Sequence, residues 1–189
     1  MPGGSLLSSE AVRQGLVSYL PNLRAFGIAL CGDADRADDL VQETMLKAWN
    51  SLDSFQEGTN LRAWLFTILR NTYFSECRRR RREVPDQDGD YVSRLSVPPP
   101  QQGRMDAQDL MKALGQLTED QREALILVGA EGFAYEEAAA ICNCAVGTIK
   151  SRVNRARNRL VEILGIDAVQ DFGPEPLTEA VLLRTSNSF

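Results

Sequence analysis

The sequence of 189 residues has no histidine, only four cysteines and 7% aromatic residues. Because histidine is the commonest general base and a common metal ligand, we expect no enzyme, no catalytic residue, no cofactor and no metal. The cysteines have neither disulfide-framework nor zinc-site spacing, and we interpret them as buried thiols. No segment approaches the roughly 20 apolar residues of a membrane span, and residues 1–9 lack a signal-peptide pattern. We therefore predict a soluble cytoplasmic protein with no membrane partner.

Positive charge is in the minority but is concentrated in two blocks. The net charge is −5, from 21 basic and 26 acidic residues. Five consecutive arginines form Arg78–Arg82, and residues 147–159 include five basic side chains and no acidic one. We expect two places that bind an anion such as nucleic acid, on a chain whose remaining surface is acidic.

The chain divides into two helical units. Hydrophobic periodicity disappears between Glu83 and Met105, where three consecutive prolines favour extended backbone. We predict a unit over 9–82, a flexible linker over 83–105 that holds the units apart, a second unit over 106–165 and a C-terminal tail over 166–189. Apolar residues repeat at helical spacing and no segment alternates like a half-buried strand, so the predicted fold class is all-α.

Capping residues mark where several helices begin. Asp33 or Asp35 can cap one helix, and Thr59 or Asn60 can cap the helix that runs into the arginines. Thr118-Glu119-Asp120-Gln121 has the spacing of a capping box, which predicts a helix start there.

The second unit has the pattern of a helix-turn-helix. A short helix is predicted over Tyr135–Ile141, a tight turn at Asn143 and a longer helix over Val146–Leu164. At about 100 degrees per residue, the core-facing stripe of the longer helix comprises Ile149, Val153, Ala156, Leu160 and Ile163.

The polar side of this longer helix suits the major groove of duplex DNA. The side chains expected to read base edges are Lys150, Ser151, Asn154 and Arg155. The flanking side chains expected to bind phosphates are Thr148, Arg152, Arg157 and Arg159. The alternative is a basic helix face that is merely solvated.

Aromatic residues concentrate between residues 49 and 74. Phe55 begins a loop of small polar residues that ends at Thr59, and Asn71 and the arginines follow on the next helix. We expect this region to hold an unpaired base by stacking and charge. For each individual aromatic residue, packing in the core is the alternative.

Three motifs in this order resemble the extracytoplasmic-function (ECF) sigma factors of the sigma-70 family, the promoter-recognition subunits of bacterial RNA polymerase. They are Asp38–Thr44 with Lys47–Trp49, Asn60–Leu65 with Arg70-Asn71, and Tyr135–Glu137 with Val146–Arg152. The resemblance covers residues 10–165. It implies a sigma2-like helical bundle followed by a sigma4-like helix-turn-helix domain.

The resemblance also implies partners and site residues. The clamp helices of the largest polymerase subunit would bind Asp39, Gln42, Glu43, Lys47 and Trp49, and the flap of the second subunit would bind the other domain. A flipped base of the −10 element would be held by Phe55, Gly58, Thr59, Asn60, Asn71, Arg78 and Arg79. The −35 duplex of promoter DNA would be read by the longer helix of the second unit.

A closer similarity is to the EcfG-type general stress response group of alpha-proteobacteria. It is carried by Leu65–Glu76 with the arginines that follow, and by Cys144–Arg152. This resemblance implies an anti-sigma factor of NepR type that competes with polymerase. A phosphorylated response regulator of PhyR type would remove that inhibitor.

Three other interpretations fit the sequence less well. A sigma-like decoy would bind an anti-sigma factor without reading a promoter, and it would have no use for the cationic face around Lys150 and Arg155. A stand-alone helix-turn-helix regulator leaves Asp39, Gln42 and Glu43 unexplained. A nucleic-acid enzyme lacks any convergent carboxylate or histidine site.

Overall fold

The structure is a computed structural model that describes residues 15–55, 59–83 and 107–165. After a helical turn at 15–18, the first unit contains helices α1 (Leu20–Cys31), α2 (Ala34–Asn50) and α3 (Leu61–Glu83). The second contains α4 (Ala107–Gly115), α5 (Glu119–Leu125), α6 (Tyr135–Cys142) and α7 (Val146–Leu164). A 3-10 turn follows α2 and a π-helical turn, Ile126–Ala130, extends α5.

The predicted all-α class is confirmed, since the three described ranges contain helices and no strand. None of the helices in these ranges is long and apolar enough to cross a membrane. The predictions for residues 9–14, the linker from 84 to 105 and the tail over 166–189 lie outside the described residues.

Local capping explains the helix boundaries. The Asp33 side chain accepts a hydrogen bond from the backbone N–H of Arg36 at 2.8 Å, which caps α2. The Asn60 side chain accepts from the N–H of Ala63 at 3.1 Å at the start of α3. Thr118 forms the predicted capping box with Gln121. Each cap satisfies N–H groups that have no partner within the first turn of a helix.

Helices α5 and α6 pack across α7 in the second domain. Asn143 adopts a left-handed φ of 50° between α6 and α7, which produces the tight turn of the helix-turn-helix. Four of the five predicted core residues of α7 are buried, but Ile163 is only half-buried and Leu164 is buried instead. Leu164 follows the buried Leu160 by four residues and therefore lies on the same face.

The two domains pack directly against each other, so the prediction that the linker holds them apart is wrong. One continuous cluster of buried residues includes members of both domains. The rings of Phe66 on α3 and Phe133 before α6 have centroids 5.0 Å apart in an edge-on arrangement. Arg122 on α5 donates a hydrogen bond to the carbonyl oxygen of Leu30 at 3.0 Å.

The four cysteines are free thiols, as predicted, but their burial differs. Cys142 is buried, whereas Cys31, Cys77 and Cys144 are half-buried. Burial raises the pKa of the Cys31 thiol to about 11. Since the thiolate is the reactive form, this places Cys31 among the less reactive thiols at neutral pH.

Candidate nucleic-acid and polymerase interfaces

Helix α7 presents the predicted −35 residues on the surface of the second domain. Its inner face is anchored by the buried Ile149, Val153 and Ala156. The exposed members of the predicted set are Thr148, Lys150, Asn154, Arg155 and Arg159, and the half-buried members are Ser151, Arg152 and Arg157. The structure therefore places all eight on one helix whose apolar side is already occupied by the core.

Two of these side chains contact other helices of the domain. A nitrogen of Arg152 lies 2.6 Å from a carboxylate oxygen of Asp120, in the first turn of α5. This ion pair links α7 to α5. Arg152 can therefore bind a phosphate only if its guanidinium group contacts the phosphate and Asp120 at the same time. The Lys150 ammonium lies 5.6 Å from the ring centroid of Tyr135 at the start of α6, a cation–π distance. These contacts fix the orientation of the helix relative to α5 and α6.

The predicted −10 residues extend along α3 and do not form a single pocket. Thr59, Asn60, Asn71, Arg78 and Arg79 are exposed, and Gly58 lies outside the described residues. At about 1.5 Å of rise per residue, Asn60 and Arg78 are roughly 27 Å apart along the helix axis. Residues this far apart are better placed to contact several nucleotides of a single strand and their phosphates than to hold one base.

Phe55, at the start of the loop, is half-buried. Its ring centroid lies 5.1 Å from that of Trp64 on α3. Trp64 was not among the predicted site residues, because spacing along the chain does not reveal this contact. A base that stacks on Phe55 would therefore contact a ring that already packs against Trp64.

The predicted polymerase-binding residues share the outer side of α2. This set, exposed throughout, consists of Asp39, Gln42, Glu43, Lys47 and Trp49. The Lys47 ammonium lies 2.7 Å from the Glu43 carboxylate, and this hydrogen bond lowers the pKa of Glu43. Lys47 also donates to the hydroxyl of Thr72 on α3 at 3.0 Å.

An apolar groove of about 420 Å³ lies beside these charges. The residues that line it are Leu20, Val41, Gln42, Met45, Leu46 and Trp49. Leu46 is 66% exposed and Trp49 is 53% exposed, which is unusual for large apolar side chains in a folded domain. Leu46 was not among the predicted residues, although its position on an otherwise polar helix face was the available signal.

Charged groups also meet across the boundary between the domains. A nitrogen of Arg62 lies 2.5 Å from the Glu131 carboxylate, and a nitrogen of Arg70 lies 2.5 Å from the Glu123 carboxylate. Burial raises the pKa of both glutamates, and the arginines oppose this shift. The described residues contain no group of three or more His, Cys, Asp or Glu that could hold a metal ion.

Two family models match the chain, and together they define a two-domain sigma factor. Sigma-70 region 2 matches residues 16–83, and Sigma-70, region 4 matches residues 107–160. The chain is 56% identical over 174 residues to the ECF RNA polymerase sigma factor EcfG of Rhodopseudomonas palustris (strain TIE-1). That alignment covers 92% of this chain and 96% of the relative. The chain therefore belongs to the ECF sigma factors of the sigma-70 family, which confirms the resemblance found in its motifs.

One solved structure agrees with this assignment, and a second shares the fold. The sigma factor RpoE of Bartonella quintana, in a co-crystal structure with the anti-sigma factor NepR, is 58% identical. The match has a TM-score of 0.72 and covers 82% of this chain and 98% of that one. The PhyRSL–NepR complex from Sphingomonas sp. Fr1 matches with a TM-score of 0.60 over 82% of this chain and 90% of that one. At 22% identity this second likeness shows the fold alone.

Proposed function

We propose that this ECF sigma factor binds core RNA polymerase mainly through α2, reads duplex −35 DNA with α7 and captures single-stranded −10 DNA along α3. The proposed domains are 9–82 for polymerase and the −10 element, 83–105 for the linker and 106–165 for the −35 element. It acts in the cytoplasm, where polymerase and DNA are found, and it contributes no covalent chemistry.

The observation that carries this proposal is the surface of α7. Eight polar or basic side chains occupy one helix of a helix-turn-helix, and residues 147–159 contain no acidic residue. Exposed Lys150, Asn154 and Arg155 lie near the N-terminal half of that helix, which is the part of a recognition helix that contacts base edges. A decoy that binds only protein would not need this surface.

The groove on α2 supports the polymerase assignment. Exposed Leu46 and Trp49 line this groove, and the charged Asp39 and Glu43 are exposed on the same helix. An apolar centre with a polar rim is typical of a protein interface. We infer that the clamp helices of the largest polymerase subunit occupy this groove. The flap of the second subunit is the proposed contact of the second domain.

An anti-sigma factor of NepR type is the proposed inhibitor. The supporting observation is that the Bartonella quintana relative, which matches over nearly its whole length, was solved with NepR. The similarity to EcfG extends the proposal to control of general stress genes. A PhyR-type response regulator would then release this chain by taking the inhibitor away.

Run-off transcription with purified core polymerase tests the proposed function. The template carries a GGAA-type −35 element and a GTT-containing −10 element. We expect transcript that depends on this chain and disappears when Lys150→Ala is combined with Arg155→Ala. The matched control is Lys112→Ala, which removes a cation on α4 and should leave transcription unchanged. No transcript with the wild-type chain, together with binding to a NepR-type protein, would favour the decoy.

Truncating the apolar groove should weaken polymerase binding without unfolding the protein. We expect Leu46→Ala combined with Trp49→Ala to cost about 2 kcal/mol or more in affinity for core polymerase, as large anchors do at interfaces. Because both side chains are exposed, unfolding free energy should change by less than about 0.5 kcal/mol per site. Competition binding against labelled wild type measures the loss.

The control for the groove is Val17→Ala, which shortens an apolar side chain that is 61% exposed and does not line the groove. It should bind core polymerase as wild type does. Equal affinity for core polymerase in the double variant and in wild type would contradict the role of the groove.

A further inference from the structure

We propose that Asp120 is a positioning residue for −35 recognition: by binding Arg152, it restricts the phosphate contact of that arginine to the one register of α7 on the duplex in which Arg155 meets its base. The inference rests on the proposed function in that α7 is the helix assigned to −35 DNA. Asp120 itself lies on α5 and is not among the predicted DNA-binding residues.

Two groups of the second domain hold the guanidinium of Arg152. Its Nη2 lies 2.6 Å from Oδ2 of Asp120, in the first turn of α5. Its Nη1 lies 3.9 Å from Sγ of Cys144, in the turn before α7. Because both terminal nitrogens have a partner, the guanidinium has little freedom to rotate. An arginine restrained in this way can meet a phosphate in one direction only.

The ion pair lies at the edge of the surface and leaves donors for DNA. The Arg152 side chain is 22% exposed and that of Asp120 is 52% exposed. An arginine has five N–H donors, so the two contacts do not exhaust them. Ion pairs with this much exposure contribute little to the stability of a fold. We therefore assign the effect of Asp120 to the direction in which Arg152 points.

Arg152 and Arg155 are neighbours on one side of α7. Thr148, Arg152, Arg155 and Arg159 follow each other at intervals of four, three and four residues, which places them along one stripe of a helix. Two guanidinium groups at this spacing repel each other. Asp120 compensates the charge of Arg152, whereas Arg155 is exposed and forms no ion pair within the described residues. Arg155 is therefore the arginine available for a base edge.

Restraint of Arg152 affects specificity because phosphate is the same in every sequence. Phosphate contacts fix the register of a protein on the duplex and carry no sequence information. Without Asp120, Arg152 would bind whichever phosphate lies nearest in any register. DNA without a −35 element would then gain a contact, and a −35 element, on which the contact already exists, would gain none. Asp120 thus increases discrimination by limiting non-specific binding.

The variant Asp120→Asn tests the proposal, since it keeps the shape of the side chain and removes its charge. The full chain is titrated onto a duplex without a −35 element at a series of salt concentrations. One added phosphate contact should make the slope of log affinity against log salt steeper by about 0.9, or about eightfold in affinity between 1 M and 0.1 M salt. In complex with core polymerase, the variant should discriminate less between a GGAA-type −35 element and a substituted one.

Two further variants serve as controls. Asp109→Asn makes the same change on α4, where Asp109 pairs with Lys112 of its own helix, and it should leave the slope and the discrimination unchanged. Asp120→Glu restores a carboxylate and should return both toward wild type. An Asp120→Asn variant with a wild-type circular dichroism spectrum, salt slope and discrimination would overturn the proposal. Asp120→Ala provides the same test if Asp120→Asn does not fold.

A double-mutant cycle shows whether Asp120 acts through Arg152. In the background of Arg152→Ala, replacing Asp120 by asparagine should leave the salt slope where Arg152→Ala alone puts it. An equal change of slope with and without Arg152 would overturn the proposal, because Asp120 would then act only through the net charge of the domain.

Failure of this inference is distinguishable from failure of the proposed function. A wild-type complex that binds substituted −35 elements as tightly as the GGAA-type element would refute the reading of −35 DNA by α7. The salt slope of Asp120→Asn requires neither a promoter nor polymerase, so it reports on the restraint of Arg152 in either case.

Discussion

Replacing Phe66 by alanine is expected to lower the free energy of unfolding by about 3–5 kcal/mol, the usual cost of removing a buried phenyl ring. Phe66 is fully buried on α3. Its ring centroid lies 5.0 Å from that of Phe26 in the first domain and 5.0 Å from that of Phe133 in the second. One substitution therefore removes packing both within a domain and between domains.

Urea denaturation followed by circular dichroism measures this loss. The matched control is Phe55→Ala, because Phe55 is half-buried and, among the aromatic rings of the described residues, packs on Trp64 alone. It should cost clearly less. A loss below about 1 kcal/mol for Phe66→Ala would mean that the site collapses around the missing ring or that the two domains do not pack through it.

Arg155→Ala is expected to lose about 1–3 kcal/mol of binding at particular −35 bases and little elsewhere in the element. Arg155 is exposed on α7 and faces away from the buried stripe that contains Val153 and Ala156. A guanidinium in that position can donate two hydrogen bonds to one base edge, and a substituted base removes that match.

Binding of the complex with core polymerase to a series of single-base −35 variants measures this effect. The comparison is Arg159→Ala, further along the exposed side of α7, where an arginine that binds phosphate should weaken every sequence alike. That variant should also reduce the dependence of affinity on salt. Equal losses for Arg155→Ala on every −35 sequence would show that Arg155 binds phosphate and does not read bases.

The sequence determined the features that arise within one or two helical turns. Asp33, Asn60 and Thr118 cap helices where predicted, because a cap requires only an oxygen acceptor near the first free N–H groups. The polar face of α7 was predictable for the same reason, since residues on one helix face follow from a fixed angle per residue. The motifs that identify the family are also local, and they predicted both domains in the correct order.

Tertiary structure decided which apolar side chains are covered by neighbouring elements and which stay exposed. Leu40, Leu46 and Trp49 are all large apolar residues of α2, yet Leu40 is buried while Leu46 and Trp49 are 66% and 53% exposed. The ring of Phe55 packs against that of Trp64 and is half-buried, and spacing along the chain does not reveal this contact.

The closed arrangement of the domains depended on tertiary structure most of all. Arg62 and Glu131 are separated by 69 residues, and Arg70 and Glu123 by 53. Sequence patterns identified arginines on α3 and glutamates in the second domain, but charge alone does not select one pairing among many. Burial selects it, because Glu123 and Glu131 are buried at the boundary with the first domain, where an uncompensated charge is not tolerated.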